Sequence, residues 1–156
     1  MHRRRYSNPI SMFNILLIED SEDDAYLLEQ ALRRENIRSS MCRVSNGREA
    51  ILYLEGRENY ADRKTCPFPD IIFTDLKMPG MDGFEFLLWL RSHPRCSILP
   101  AMVFSSSALE TDIEKSYRLG ANAYLTKPGT LVALQDSVRK AHDFWIHCKR
   151  PRIKLE

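Results

Sequence analysis

The sequence predicts a doubly wound α/β domain in which five short parallel strands alternate with five helices. Three observations carry that prediction. Short apolar runs recur along the chain, among them ILLI (15–18), IIF (71–73) and AMVF (101–104). Each is continuous rather than alternating, as in strands buried on both faces. Between them lie longer segments with apolar residues three and four apart, the period of an amphipathic helix. Gly, Pro and acidic residues punctuate the joints. Alternation of this kind calls for crossover connections, and so for a parallel sheet covered by helices.

In chain order, FNILLI (13–18) reads as the first buried strand. Ser21-Glu22-Asp23-Asp24 has the form of a capping box and opens a helix carrying Leu27, Leu28, Ala31 and Leu32. A weaker strand follows near 38–44. A helix from Gly47 to Glu55 sets Ala50, Ile51 and Leu54 on one face, and GRENYADRKTCPFP (56–69) is a polar loop. Strand IIFT (71–74), helix FEFLLWLRS (84–92) and strand AMVF (101–104) come next. The helix from about Leu109 to Leu119 places Leu109, Ile113 and Tyr117 four apart, with Gly120 ending it. Strand NAYLT (122–126) precedes a last helix running from about Leu131 to Cys148. On it Leu131, Leu134, Val138, Ala141, Trp145 and Cys148 form one core-facing stripe, with Phe144 and Ile146 off its centre.

Length and composition agree with one domain. The 156 residues are 44% apolar and 28% charged, which is enough for a core. A formal net charge of +2 gives no ground for nucleic-acid binding, and nothing after residue 148 reads as a helix-turn-helix. No apolar run reaches the ~18 residues of a membrane span. ILLI is too short for a signal peptide and runs straight into EDSEDD. The expected setting is therefore cytoplasmic, without membrane contact. Cys42, Cys66, Cys96 and Cys148 form no C-x-x-C pair and are expected as reduced thiols. Basic residues cluster at both ends, so the expected boundaries are a basic N-terminal extension (1–12), a domain (13–148) and a basic, solubilising C-terminal tail (149–156).

Function is read from the strand ends, because ligands of open parallel sheets bind outside the carboxyl ends of the strands. After ILLI stand Glu19 and Asp20, after IIFT stands Asp75, after AMVF stands Ser105, and after AYLT stand Lys127 and Pro128. An acid after a strand is usually a turn or cap residue, and a lone Ser or Lys there is usually only solvated. Their joint placement at four strand ends of one sheet is what points to chemistry. Two carboxylates ~4 Å apart repel by about 4 kcal/mol at an effective dielectric of ~20, and a divalent cation removes that cost. Oxygen ligands select a hard ion, with Mg²⁺ favouring few carboxylates and a substrate phosphate. Aspartate is a nucleophile toward phosphorus, and an ammonium and a hydroxyl can hold phosphoryl oxygens.

These stretches, LLIEDSEDD, DIIFTDLKMPGMDGFEFL, LPAMVFSSSA and GANAYLTKP, resemble the response-regulator receiver domain, a CheY-like family, over roughly residues 13–148. The resemblance implies a flavodoxin-like fold with strand order 2-1-3-4-5. It implies a phosphoryl group received on Asp75 from a sensor histidine kinase. Mg²⁺ would be held by Glu19, Asp20, Asp75 and the Lys77 backbone carbonyl, with Lys127 on the phosphate. Ser105 would be the switch hydroxyl and Tyr124 the switch aromatic, turning inward on phosphorylation. From the residues alone, Tyr124 reads equally as a half-buried strand aromatic. The resemblance also implies a cis Lys127–Pro128 bond, in keeping with the small cost of cis at X–Pro.

Within the family, the long 56–69 loop and the ending SVRKAHDFWIHCK (137–149) resemble the single-domain regulators paired with bacterial phytochrome kinases. That implies a bacteriophytochrome as kinase and a homodimer through the 109–148 face. Phe144 and Trp145 either reach the second subunit or simply cover the sheet edge. The chain departs from the usual pattern at Lys77 and Gly129. Lys77 and Ser107 are expected to flank the path of water to the phosphoryl group. Lys77 also stands where an aspartyl-phosphate hydrolase carries its second carboxylate, so turnover as an enzyme is not expected. A flavin or nucleotide binder would need a phosphate-cradling loop where EDSEDD stands. The remaining alternative is a non-phosphorylated pseudo-receiver acting as a constitutive binding module.

Overall fold

A computed structural model describes residues 12–153. The order of elements is β1 (Phe13–Ile18), α1 (Glu22–Arg34), β2 (Ser39–Val44), α2 (Gly47–Glu55), β3 (Ile71–Thr74), α3 (Gly83–Ser92), β4 (Ala101–Ser105), α4 (Glu110–Arg118), β5 (Ala123–Thr126) and α5 (Leu131–His147). Two short 3₁₀ turns, Glu58–Tyr60 and Cys96–Ile98, lie in the loops that follow α2 and α3. The five strands form one parallel sheet in the order β2-β1-β3-β4-β5.

The continuous apolar strands split their side chains between two core layers. Ile15 and Leu17 of β1 join Ile71, Phe73, Met102 and Phe104 under α1 and α5. Leu16 and Ile18 turn the other way and join Ile72, Ala101 and Val103 under α2 and α3. Each fully buried Leu, Ile or Phe is worth roughly 1.5–3 kcal/mol against exposure, so this two-sided burial fixes the register. β2, at the sheet edge, is mostly half-buried, which is why its sequence signal is weak.

Helix starts follow their side chains. Ser21 accepts the Asp24 N–H, Asn46 the Glu49 N–H and Thr130 the Ala133 N–H. Asp82 and Glu85 form a reciprocal capping box on α3. Each such cap contributes about 1 kcal/mol. The 56–69 loop is held by Arg63, whose guanidinium donates to the carbonyls of Tyr53, Leu54 and Cys66. The stretch after α5 also meets the domain: Arg150 lies over the Phe13 ring at 4.8 Å and Ile153 packs against the core. The basic N-terminal stretch lies outside the described residues. Among those described, no helix is long and apolar enough to cross a membrane.

Candidate functional site: an acidic rim closed by one lysine

Register brings the strand ends together. Ile18 sits beside Thr74 and Val44, and Ser105 beside Thr126. The next residues continue the ladder: the Glu19 N–H donates to Val44, the Asp75 N–H to Ile18 and the Lys127 N–H to Ser105. Asp75, Glu19, Ser105 and Lys127 are thereby fixed by sheet geometry rather than by loose loops. β3 ends on an acid because that position opens onto this rim.

Asp75 is 8% exposed, and both its carboxylate oxygens are held. Oδ1 accepts the Leu76 N–H at 2.7 Å and Oδ2 accepts from Lys127 Nζ at 2.9 Å. The turn below it requires Gly83, since a Cβ there would stand 2.0 Å from the Asp75 carbonyl oxygen. That proximity explains the Gly in MDGF: the α3 N-terminus passes directly against the backbone of Asp75.

Lys127 Nζ donates to three carboxylates, those of Glu19 (2.7 Å), Asp24 (2.7 Å) and Asp75 (2.9 Å). Burial works against its charge, but these three hydrogen bonds outweigh burial and hold its pKa above the ordinary lysine value. Glu19 is 2% exposed. Its burial raises the carboxyl pKa, opposed by the bonds from Lys127 and from the Ser21 N–H. Glu19, Asp20 and Asp75 each place a carboxylate oxygen within 4.8 Å of the others. Such an all-oxygen set suits a hard divalent cation. Arg43, reaching over from β2, donates to the backbone carbonyls of Glu19 and Asp20 and so fixes the acidic pair.

Ser105 is buried, and its Oγ accepts the Ser107 N–H at 3.2 Å. Tyr124 is half-buried against the core, and its hydroxyl donates to the Ser107 carbonyl at 2.7 Å. The ring is thus already tied to the loop after β4. Ser107 donates its hydroxyl to Asp112 of α4 at 2.6 Å, and the same Oγ accepts the Leu109 N–H at 3.3 Å. It joins the loop after β4 to the first turn of α4. Lys77 is exposed in the turn after Asp75.

Two expectations need correction or addition. The Lys127–Pro128 bond is trans, as are all peptide bonds among the described residues. Trans is intrinsically favoured at X–Pro by about 0.5–1 kcal/mol, and the trans chain already brings Lys127 Nζ to Asp75. Asp24 also belongs to the site, although the sequence pattern marks it only as a helix-cap residue. Its signal lay inside the capping pattern, one helical turn after the acidic pair.

Comparison with known proteins agrees with this geometry. A model of the response regulator receiver domain matches residues 15–139. The response regulator Rcp1 of Synechocystis sp. is 33% identical over 140 residues, covering 90% of this chain and 92% of that protein. The crystal structure of the phosphorylated cyanobacterial phytochrome response regulator RcpA superposes with a TM-score of 0.82 at 34% identity, covering 91% of this chain and all of that one. The Mn²⁺-bound form of Rcp1 gives a TM-score of 0.78 at 31% identity, covering 90% and 99% of the two chains. Fold, rim and relatives together show that the chain belongs to the response regulator receiver domain family.

Proposed function

We propose that Asp75 accepts a phosphoryl group from a sensor histidine kinase, with Mg²⁺ held by Glu19, Asp20, Asp75 and the Lys77 carbonyl. The observation that carries this reading is the convergence of Asp75, Lys127 and the Glu19–Asp20 pair on one rim. An Asp75 carboxylate oxygen attacks phosphorus, and the P–N bond to the kinase histidine breaks. The electron pair returns to the imidazole, which takes a proton from solvent. The metal, when bound, supplies charge neutralisation for the phosphoryl oxygens. Lys127 redirects the N–H now on Asp75 to a phosphoryl oxygen.

Ser105 then donates to a second phosphoryl oxygen. Its rotation withdraws the acceptor of the Ser107 N–H, and Ser107 is joined to both α4 and Tyr124. A local charge event thus biases the 109–148 face. The similarity to phytochrome regulators favours a bacteriophytochrome as kinase. It also favours a homodimer through that face. Phe144 is 63% exposed there, whereas Trp145 is half-buried with its indole N–H on Met102. Phe144 is therefore the residue that meets a second subunit and Trp145 the one that supports it. If so, Phe144→Asp shifts the protein to monomer by light scattering, and an unchanged mass rejects this interface.

Incubation with a small phosphodonor and Mg²⁺, followed by intact mass, tests the reaction. The expected result is one phosphoryl adduct, absent with EDTA and absent from Asp75→Asn. An adduct that persists in Asp75→Asn rejects the assignment. No adduct on the native chain supports the pseudo-receiver instead.

A further inference from the structure

We propose that Asp24 is a positioning residue that draws the Lys127 ammonium aside, so that a divalent cation can take hold of Glu19 and Asp75. This rests on the receiver reading above, and deepens it.

Lys127 has three N–H groups, and all three are engaged, by Glu19, Asp24 and Asp75. Two of those partners, Glu19 and Asp75, belong to the set that can hold the metal, together with Asp20; Asp24 does not. In this structure the ammonium is the cation that joins Glu19 to Asp75. An incoming divalent ion must share these carboxylates with it, and like charges repel across so short a distance. Asp24 is the counter-charge that the metal does not claim. When the metal engages Glu19 and Asp75, Lys127 keeps Asp24 as its anchor and has N–H groups to offer a phosphoryl oxygen.

The first turn of α1 is built for this. Asp24 stands three residues after the cap Ser21, where a carboxylate ordinarily folds back onto the backbone N–H of the cap. Glu85 does so on α3, where the box with Asp82 is complete. On α1 the Ser21 N–H is instead taken by Glu19 Oε1 at 3.0 Å. The Asp24 carboxylate is left to reach across to Lys127, 103 residues away in sequence. Asp23, its neighbour in the same acidic turn, is exposed and serves as a control of equal charge.

The test is a double-mutant cycle on the full chain, with Mn²⁺ affinity read from the EPR signal of the free ion. Asp24→Asn is expected to weaken Mn²⁺ binding roughly tenfold, within the range of coupling between residues in direct contact. Asp23→Asn should weaken it by less than about threefold, and Asp24→Glu should restore most of the affinity. In a Lys127→Met background the loss caused by Asp24→Asn should shrink to that of Asp23→Asn. Circular dichroism melting of each variant separates misfolding from lost binding. The proposal is overturned if Asp24→Asn and Asp23→Asn act alike, if the Asp24 effect survives intact without Lys127, or if the native chain binds no Mn²⁺. A native chain that binds Mn²⁺ but takes no phosphoryl group refutes the receiver reading, while the cycle still decides the role of Asp24.

Discussion

Gly83→Ala is the sharpest structural perturbation that the site allows. A Cβ at this position would lie 2.0 Å from the Asp75 carbonyl oxygen, 2.9 Å from the Leu76 Cα and 3.0 Å from the Asp75 carbonyl carbon. Carbon and oxygen meet comfortably near ~3.3 Å, so the two backbones must part by about 1.3 Å. All three obstacles are main chain, so no side-chain rotation relieves the clash. Overpacking costs about 1–3 kcal/mol when side chains can adjust, and a rigid backbone clash belongs at the top of that range. At about 3 kcal/mol the melting temperature of a chain this size falls by roughly 6–12 °C. The same displacement moves Asp75 away from Lys127 and reduces phosphoryl uptake. Gly129→Ala is the control: it has open space around it and an ordinary φ, so its change should stay within about 0.5 kcal/mol. Thermal melts and intact-mass phosphorylation of both variants check the prediction. A Gly83→Ala protein with native melting and native uptake would refute the packing argument.

Two further outcomes are expected. Ser107→Ala removes the hydroxyl that bonds Asp112 and accepts the Leu109 N–H at the start of α4, so amide exchange at residues 109–113 should rise roughly tenfold, about the net worth of one hydrogen bond, while uptake on Asp75 persists; unchanged exchange would show that α4 is held by other contacts. Burial raises the Glu19 pKa above 4.5, so its folded form holds a proton more tightly than its unfolded form. The cost of burying it ionised is therefore present above the raised pKa and is relieved as pH falls through that value. Metal binding loses a ligand in the same window. The stabilisation of the melt by Mg²⁺ should shrink as pH falls through the raised Glu19 pKa, and Glu19→Gln should weaken this dependence. A Mg²⁺ increment that stays constant as the solution is acidified would contradict it.

The strands, helices and strand-end residues were legible because each follows from local pattern. Apolar runs mark β1, β3 and β4 almost to the residue, and the Gly47–Glu55 helix is bounded by Asn46 and Gly56, its own caps. What the sequence concealed depends on partners far along the chain. Asp24 reads as an ordinary capping acid until Lys127 arrives from β5, and Ser107 reads as a neighbour of the switch until Asp112 of α4 claims its hydroxyl. Arg63 carries no periodic signal, yet three backbone carbonyls converge on it. Residues 149–156 read as a solubilising tail from their basic charge, because charge does not reveal the Phe13 ring that Arg150 meets or the apolar surface that Ile153 meets.

The central claim is that Asp75 carries the phosphoryl group, and reductive trapping tests it most directly. The native chain, treated with a small phosphodonor and Mg²⁺, is reduced with borohydride, which converts an acyl phosphate to the alcohol. Peptide sequencing by mass should find homoserine at position 75, with Asp20, Asp24 and Glu19 unaltered. Homoserine at another acid, or unmodified Asp75 in a chain that has gained a phosphoryl group, would contradict the account.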